Sequence, residues 1–302
     1  MSALLQMTGP VADLVYRVRA IPEPGTEAVV TGFGMTVGGG FNALAAARAA
    51  GMEAIMGGSV GTGPFGDLCA NALAERGIAL ARPRHATRDQ GCCTVLLEPD
   101  GERSFVAWPG AEGQITAEAL EPIDLGAVSW VMLSGYTLHY PGAREALTSW
   151  IDALPKSIRF LFDPSPMIAE LPKTLLARIL TRADWISANG AEAEALTGLP
   201  AARAAEALAQ GREGAIVRIG AMGCLLATEY ALHEIPGHPV EPVDSNGAGD
   251  CHIGSFIAEL QRSDDALLAA RYATVAAALS VIRDGPATPP SRAEVEPILH
   301  AA

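Results

Sequence analysis

Near the C-terminal end of the chain, the seven residues Asp244-Ser-Asn-Gly-Ala-Gly-Asp250 set two carboxylates around Gly247 and Gly249, just ahead of a helix-compatible run over about 250 to 261. The backbone amides of Gly247, Ala248 and Gly249 can converge on one concavity. The helix behind them adds the positive end of its dipole, so the segment can cradle an anion. Glycine lets an anion approach the backbone without a Cβ in the way. A carboxylate beside such a cradle is electrostatically costly. It has a use if Asp250 takes a proton from a nucleophile while the cradle holds a phosphoryl group. The same residue types also admit a plain glycine turn with Asp250 as a helix N-cap.

A second glycine cluster, Gly38-Gly39-Gly40-Phe41-Asn42-Ala43, opens an amphipathic, alanine-rich helix that runs to Gly51. It satisfies G-x-G-x-x-A, a dinucleotide fingerprint, but the acid expected about 20 residues later is misplaced, because Glu53 falls early. Close approach by a polar ligand fits better, with the Asn42 amide offering a donor and an acceptor to hydroxyls. Tight helix packing is the competing reading. The chain has only two lysines, Lys156 and Lys173, and neither follows a glycine-rich loop. A Walker-type NTPase is therefore excluded. Nucleotide phosphates would have to be neutralised by backbone dipoles, Mg2+ and arginines.

Positioning these groups falls to an alternating series of elements. Strand-like "EAIMGGSV", "AVSWVMLSG", "SIRFLFDPS", "ADWISAN" and "EGAIVRIG" alternate with helix-like "PFGDLCANALAERG", "PGAREALTSWIDAL", "PKTLLARIL" and "AEAEALTG". Repeated βα units predict a mainly parallel sheet covered on both faces. Two stretches break the rhythm. Residues about 11 to 37 read as extended pieces joined by a Pro/Gly turn, and about 90 to 108 as a β-hairpin turning at Asp100-Gly101. Neither has a helical partner, so they are expected to form a small second sheet standing off the main one. No linker or repeat interrupts residues 1 to 302, which read as one domain.

The net charge of −13 argues against nucleic acid and against an anionic membrane surface. Local dipoles still permit a phosphorylated ligand. No signal peptide and no apolar run of about 18 residues is visible, and five unpatterned cysteines fit a reducing cytoplasm.

Taken together, "GGGFNALAAARAAG" and "DSNGAGD" resemble the two hallmarks of the PfkB, or ribokinase-like, carbohydrate kinase family. "EPDGERSF", "SGYTL", "SANGAEAEALTG" and "IVRIGAMG" match in order between them, so the resemblance spans essentially the whole chain. It implies an α/β three-layer sandwich with a mainly parallel central sheet and a small β-sheet lid. It also implies ATP-dependent phosphorylation of a hydroxyl, primary in the usual case, of a sugar or nucleoside. By the same resemblance Asp250 is the base and Gly247, Ala248 and Gly249 form the anion hole. Asp13, Gly38, Gly39 and Asn42 bind the acceptor. Asn189, Arg218, Gly220, Gly223 and Thr274 lie on the nucleotide side. Glu192 organises Mg2+ through water, and Asp244 holds a monovalent cation such as K+, with a turn-bracing aspartate as the competing role. The lid often pairs two subunits, so a homodimer is implied.

The chain departs from the family pattern in places. One residue fewer separates the early glycines from Asn42, and Thr274 stands where an Asn is common. Trp108, Tyr136, His139 and Tyr140 could stack on a base, with packing or a surface position as the leading reading for each. A phosphorylated sugar is disfavoured because no basic cluster lies near the lid, though Arg17, Arg19 and Arg103 keep it in view. Two other functions compete: a non-catalytic sugar or nucleoside sensor on the same fold, and a dinucleotide-dependent oxidoreductase using the early glycines.

Overall fold

The computed structural model describes residues 2–99 and 101–301; Asp100, half of the expected hairpin turn, lies outside the described residues. In chain order the strands are β1 (Ala3–Gln6), β2 (Pro10–Val18), β3 (Val30–Gly39), β4 (Glu53–Met56), β5 (Ala79–Leu80), β6 (Cys92–Leu97) and β7 (Arg103–Trp108). They continue with β8 (Val128–Ser134), β9 (Arg159–Asp163), β10 (Trp185–Asn189), β11 (Gly214–Arg218), β12 (Gly223–Ala227) and β13 (Leu232–Pro236). Nine of them form one sheet in the order β13-β12-β11-β10-β9-β8-β1-β4-β5. Every neighbouring pair from β11 to β5 is parallel, and only β12 and β13 run antiparallel at the edge.

The strands read as unbroken apolar runs because both faces of the sheet are covered. Leu4, Trp130, Met132 and Leu161 pack on one side with the helices Gly40–Ala49, Ala248–Ser263 and Ala266–Val281. Their strand neighbours Leu5, Val131, Leu133, Phe160 and Phe162 pack on the other with the helices Pro141–Asp152, Lys173–Arg182 and Ala201–Ala209. Strict alternation thus splits each strand between two cores and produces three layers. Each fully buried Leu or Phe contributes about 1.5–3 kcal/mol relative to exposure.

The remaining four strands form the small sheet, in the order β3-β2-β6-β7. Pairing across it aligns Thr36, Asp13, Cys93 and Ala107 in one row. Period-two alternation puts that row, with Arg17 and Arg103, on one face. Leu14, Tyr16, Phe33, Met35, Val106 and Trp108 fall on the opposite face. Trp108 is 58% exposed on that opposite face, which accords with a surface position and not with stacking on a ligand beside Asp13.

Two further expectations change. The helix after the early glycines is not amphipathic, since Gly40 to Ala47 are all buried. The helix Ala248–Ser263 packs against it so closely that a Cβ on Gly254 would lie 2.1 Å from the Ala43 carbonyl. The late helix also begins before residue 250. Gly247 is its N-cap, so Asp250 sits within the first turn and is not the cap. Among the described residues, no helix is long and apolar enough to cross a membrane.

Candidate active site

Parallel α/β sheets bind ligands beyond the carboxyl ends of their strands. Here β8, β9, β10 and β11 end at Ser134, Asp163, Asn189 and Arg218, and all four are polar. The late elbow and the small sheet add the other groups.

The elbow turns at Gly247, whose φ of 76° and closeness to the Pro286 carbonyl (2.3 Å from a Cβ placed there) both demand glycine. The amides that open a helix lack intrahelical acceptors and face outward from its end. Ala248 N–H makes a long bond of 3.3 Å to the Ser245 carbonyl. Asp250 follows. Asn42 Nδ2 donates to its Oδ2 at 3.2 Å, across the helix seam that Gly254 and Ala43 bring together. Burial pushes the Asp250 carboxyl up to about 7, with the Asp163 charge adding to the rise and Asn42 and Arg218 opposing it.

Asp13 faces the same cleft from β2, and its charge also raises Asp250. Burial alone pushes Asp13 up to about 7. Gly38 leaves it room, since a Cβ there would lie 2.3 Å from its Oδ2. Gly39, with φ 61°, is the N-cap of the helix that carries Asn42. Asn42 Oδ1 and Thr36 Oγ1 are buried without a hydrogen-bond partner among the described residues. Buried polar atoms are rarely left unpaired, so these two mark a place for a polar ligand.

On the strand-end side, Asn189 and Glu192 form a capping box. Asn189 Oδ1 accepts from Glu192 N–H at 2.9 Å, and Glu192 Oε2 accepts from Asn189 N–H at 2.7 Å. Arg218 donates to Ser187 Oγ at 2.9 Å and to Asp163 Oδ1 at 3.3 Å, and pairs with Glu192 Oε2 at 3.5 Å. Its guanidinium also stands beside Gly249. Glu192 is raised by burial and then by the Asp163 charge. Asp163 is a residue that the sequence reading missed. It is buried, accepts from Ser134 Oγ at 2.9 Å, and acts on both Asp250 and Glu192. The available signal was an acid closing the apolar run of "FLFDPS".

Asp163 and Glu192 share the Arg218 guanidinium, which bridges one oxygen of each and leaves Asp163 Oδ2 and Glu192 Oε1 without that pairing; carboxylate oxygens are the ligand type that a hard divalent cation takes. Asp163 and Glu192 are the residues present that would hold Mg2+.

Other expected residues lie elsewhere. Gly220 opens the exposed turn Gly220–Met222 just after Arg218, and the adjoining Gly223 is required by hairpin packing, 2.0 Å from the Ile235 carbonyl to a Cβ placed there. Thr274 is buried in the helix Ala266–Val281. Its hydroxyl donates to the Ala270 carbonyl at 2.8 Å and lies 3.5 Å from both Cys224 Sγ and His252 Nε2. Asp244 is engaged by Arg103, by Asn246 N–H at 2.8 Å and by Gly285 N–H at 3.3 Å. The oxidoreductase reading loses its basis, because the strand before the early glycines, β3, belongs to the small sheet and is not a strand of the parallel one.

The pfkB family carbohydrate kinase model matches residues 6–293. An uncharacterized sugar kinase of Escherichia coli (strain K12), YegV, is 31% identical over 258 residues, covering 83% of this chain and 79% of that protein. Ribokinase of Bacillus subtilis (strain 168) is 28% identical over 298 residues, covering 95% and 96%. The solved structure of ribokinase from Giardia lamblia has the same fold, with a TM-score of 0.85 at 23% identity and 99% of each chain covered. The carboxylate-lined elbow at the strand ends, the small sheet over it and a family match along nearly the whole length agree: the chain belongs to the pfkB family of carbohydrate kinases and is a ribokinase-like phosphotransferase.

Proposed function

We propose that the chain transfers the γ-phosphoryl group of ATP to a hydroxyl, primary by preference, of a sugar or nucleoside. The observation that carries this reading is the Asp250 carboxyl at the mouth of the elbow, oriented by Asn42 and pushed up to about 7. A base with that pKa is matched to removing a hydroxyl proton near neutral pH. The hydroxyl oxygen bonds to the γ-phosphorus and the bond from phosphorus to the ADP oxygen breaks. The proton passes to a carboxylate oxygen of Asp250.

Asp13 and Asn42 hold acceptor hydroxyls, a role supported by the unpartnered Asn42 Oδ1 and Thr36 Oγ1. Gly38 and Gly39 let the acceptor close to the backbone. The elbow amides of Gly247, Ala248 and Gly249 face the transferring group, and Arg218 adds a positive charge beside them. Asn189 and the turn at Gly220 and Gly223 border the nucleotide phosphates, while buried Thr274 shapes the wall behind them. Asp163 and Glu192 would hold the Mg2+ that accompanies ATP, Glu192 through water, and the ion would supply charge neutralisation at the phosphates. The small sheet acts as a lid that keeps water, the competing nucleophile, from the reaction. Of Arg17, Arg19 and Arg103, the first and last are paired with Asp284 and Asp244 and so are less available to a phosphorylated acceptor.

An assay of ADP release over pentoses, hexoses, ketoses and nucleosides tests the reading. At least one class is turned over by the wild type. If every class fails, the chain is not a kinase of this kind.

A further inference from the structure

Resemblance to the family gives Asp244 a monovalent cation, and the residues present do not fit one. One carboxylate oxygen, Oδ1, accepts from Arg103 and from Asn246 N–H at 2.8 Å, and the other, Oδ2, from Gly285 N–H at 3.3 Å. The Arg103–Asp244 pair is largely shielded, with side chains 18% and 15% exposed. A cation entering here would have to displace a guanidinium of the same charge.

The pair also joins two parts of the active site. Arg103 opens β7 of the small sheet, on the face that carries Asp13. Asp244 begins the turn that leads into the elbow, and its other partner, Gly285, precedes Pro286, whose carbonyl walls Gly247. A second arginine on the same face, Arg17, pairs with Asp284 at 3.1 Å, beside Gly285. The groove between the small sheet and the elbow turn is lined by Arg17, Leu97, Arg103, Val243, Asp244 and Asp284, with a volume of about 300 Å³. Both arginines of this face therefore land on the loops that shape the anion cradle.

We infer that Arg103 takes the charge-balancing place of the monovalent cation, so that this kinase works without K+ and the seating of its small sheet sets the geometry of its elbow. Arg103 is a positioning residue: it acts on the reaction through Asp244 and the turn 244–247. This inference rests on the proposed function for its turnover readout, and a second readout needs no substrate.

Turnover is compared in K+, Na+ and choline at constant ionic strength, which holds screening fixed, for wild type, Arg103→Lys and Arg103→Ala. Wild-type turnover changes by less than about twofold among the three salts. Arg103→Ala loses about tenfold or more, and Arg103→Lys recovers part of the loss, because a point charge lacks the planar fork. In parallel, hydrogen exchange of the unliganded proteins is followed. Arg103→Ala speeds exchange in both the small sheet and residues 244–250, and K+ leaves wild-type exchange unchanged. Activation of the wild type severalfold by K+, or a turn 244–250 indifferent to loss of Arg103, overturns the inference. If no acceptor is phosphorylated at all, the proposed function fails, and the exchange data alone still decide the coupling.

Discussion

Asp13 and Asp250 both titrate near 7 in the folded chain, against an ordinary carboxylate value of 3.8. Burial is the main cause at each. Between those two values the native state keeps protons that the unfolded chain has lost, so their contribution to stability falls as pH rises through about 4 to 7. Asp13→Asn and Asp250→Asn should therefore raise Tm at pH 8 by on the order of 2–4 °C and change it little at pH 4. Calorimetry at both pH values checks this, and an equal shift at each would contradict it. For catalysis the sign is opposite. The base must be ionised, so kcat/KM should fall as pH drops below about 7, with an apparent pKa that belongs to the coupled pair. Arg218 offers a separate test. It offsets the charges of Asp163 and Glu192, so Arg218→Met should tighten Mn2+ binding severalfold without nucleotide, as followed by electron paramagnetic resonance, while lowering kcat.

The elements that matter are two helices meeting at small residues. Gly254 and Ala43 bring the backbones together, and that approach lets Asn42 reach Asp250. Gly254→Ala inserts a Cβ against a carbonyl, an overpacking that costs about 1–3 kcal/mol. It should lower Tm and reduce kcat by more than the loss of folded protein explains; thermal unfolding and kinetics on the same samples test this. The parallel strands were legible as apolar runs, and both glycine clusters read correctly as helix openings. The exact start of the late helix was not legible. A glycine N-cap at positive φ leaves no side-chain signature, so a cap at Asp250 stayed open as the competing reading. Enclosure of the early helix also escaped notice, because alanine suits a buried face as well as a mixed one.

At the scale of the molecule, the two apolar cores and the mainly parallel pairing follow from βα alternation, while the order of the nine strands does not. What the sequence could not display is which distant residues meet. Asp163 joins Arg218 from another strand, and Arg103 meets Asp244 across 141 positions. Such partners depend on the tertiary fold and carry no local spacing. The outer face of the small sheet belongs to this scale as well. Phe33, Met35, Val106 and Trp108 are each more than half exposed there, and Tyr16 packs on Phe33 at 4.9 Å between ring centroids. An exposed apolar face of this kind suits a second copy of the chain. Sedimentation should give a dimer for the wild type and a monomer for Phe33→Glu combined with Val106→Glu; a wild-type monomer would refute the pairing.

The most direct test of the whole account is the Asp250→Asn variant, assayed for turnover and for acceptor binding on the best substrate. Removing the base while keeping shape should lower kcat by orders of magnitude, with acceptor affinity held within about threefold. Turnover that survives the substitution would contradict the role given to Asp250 and with it the mechanism.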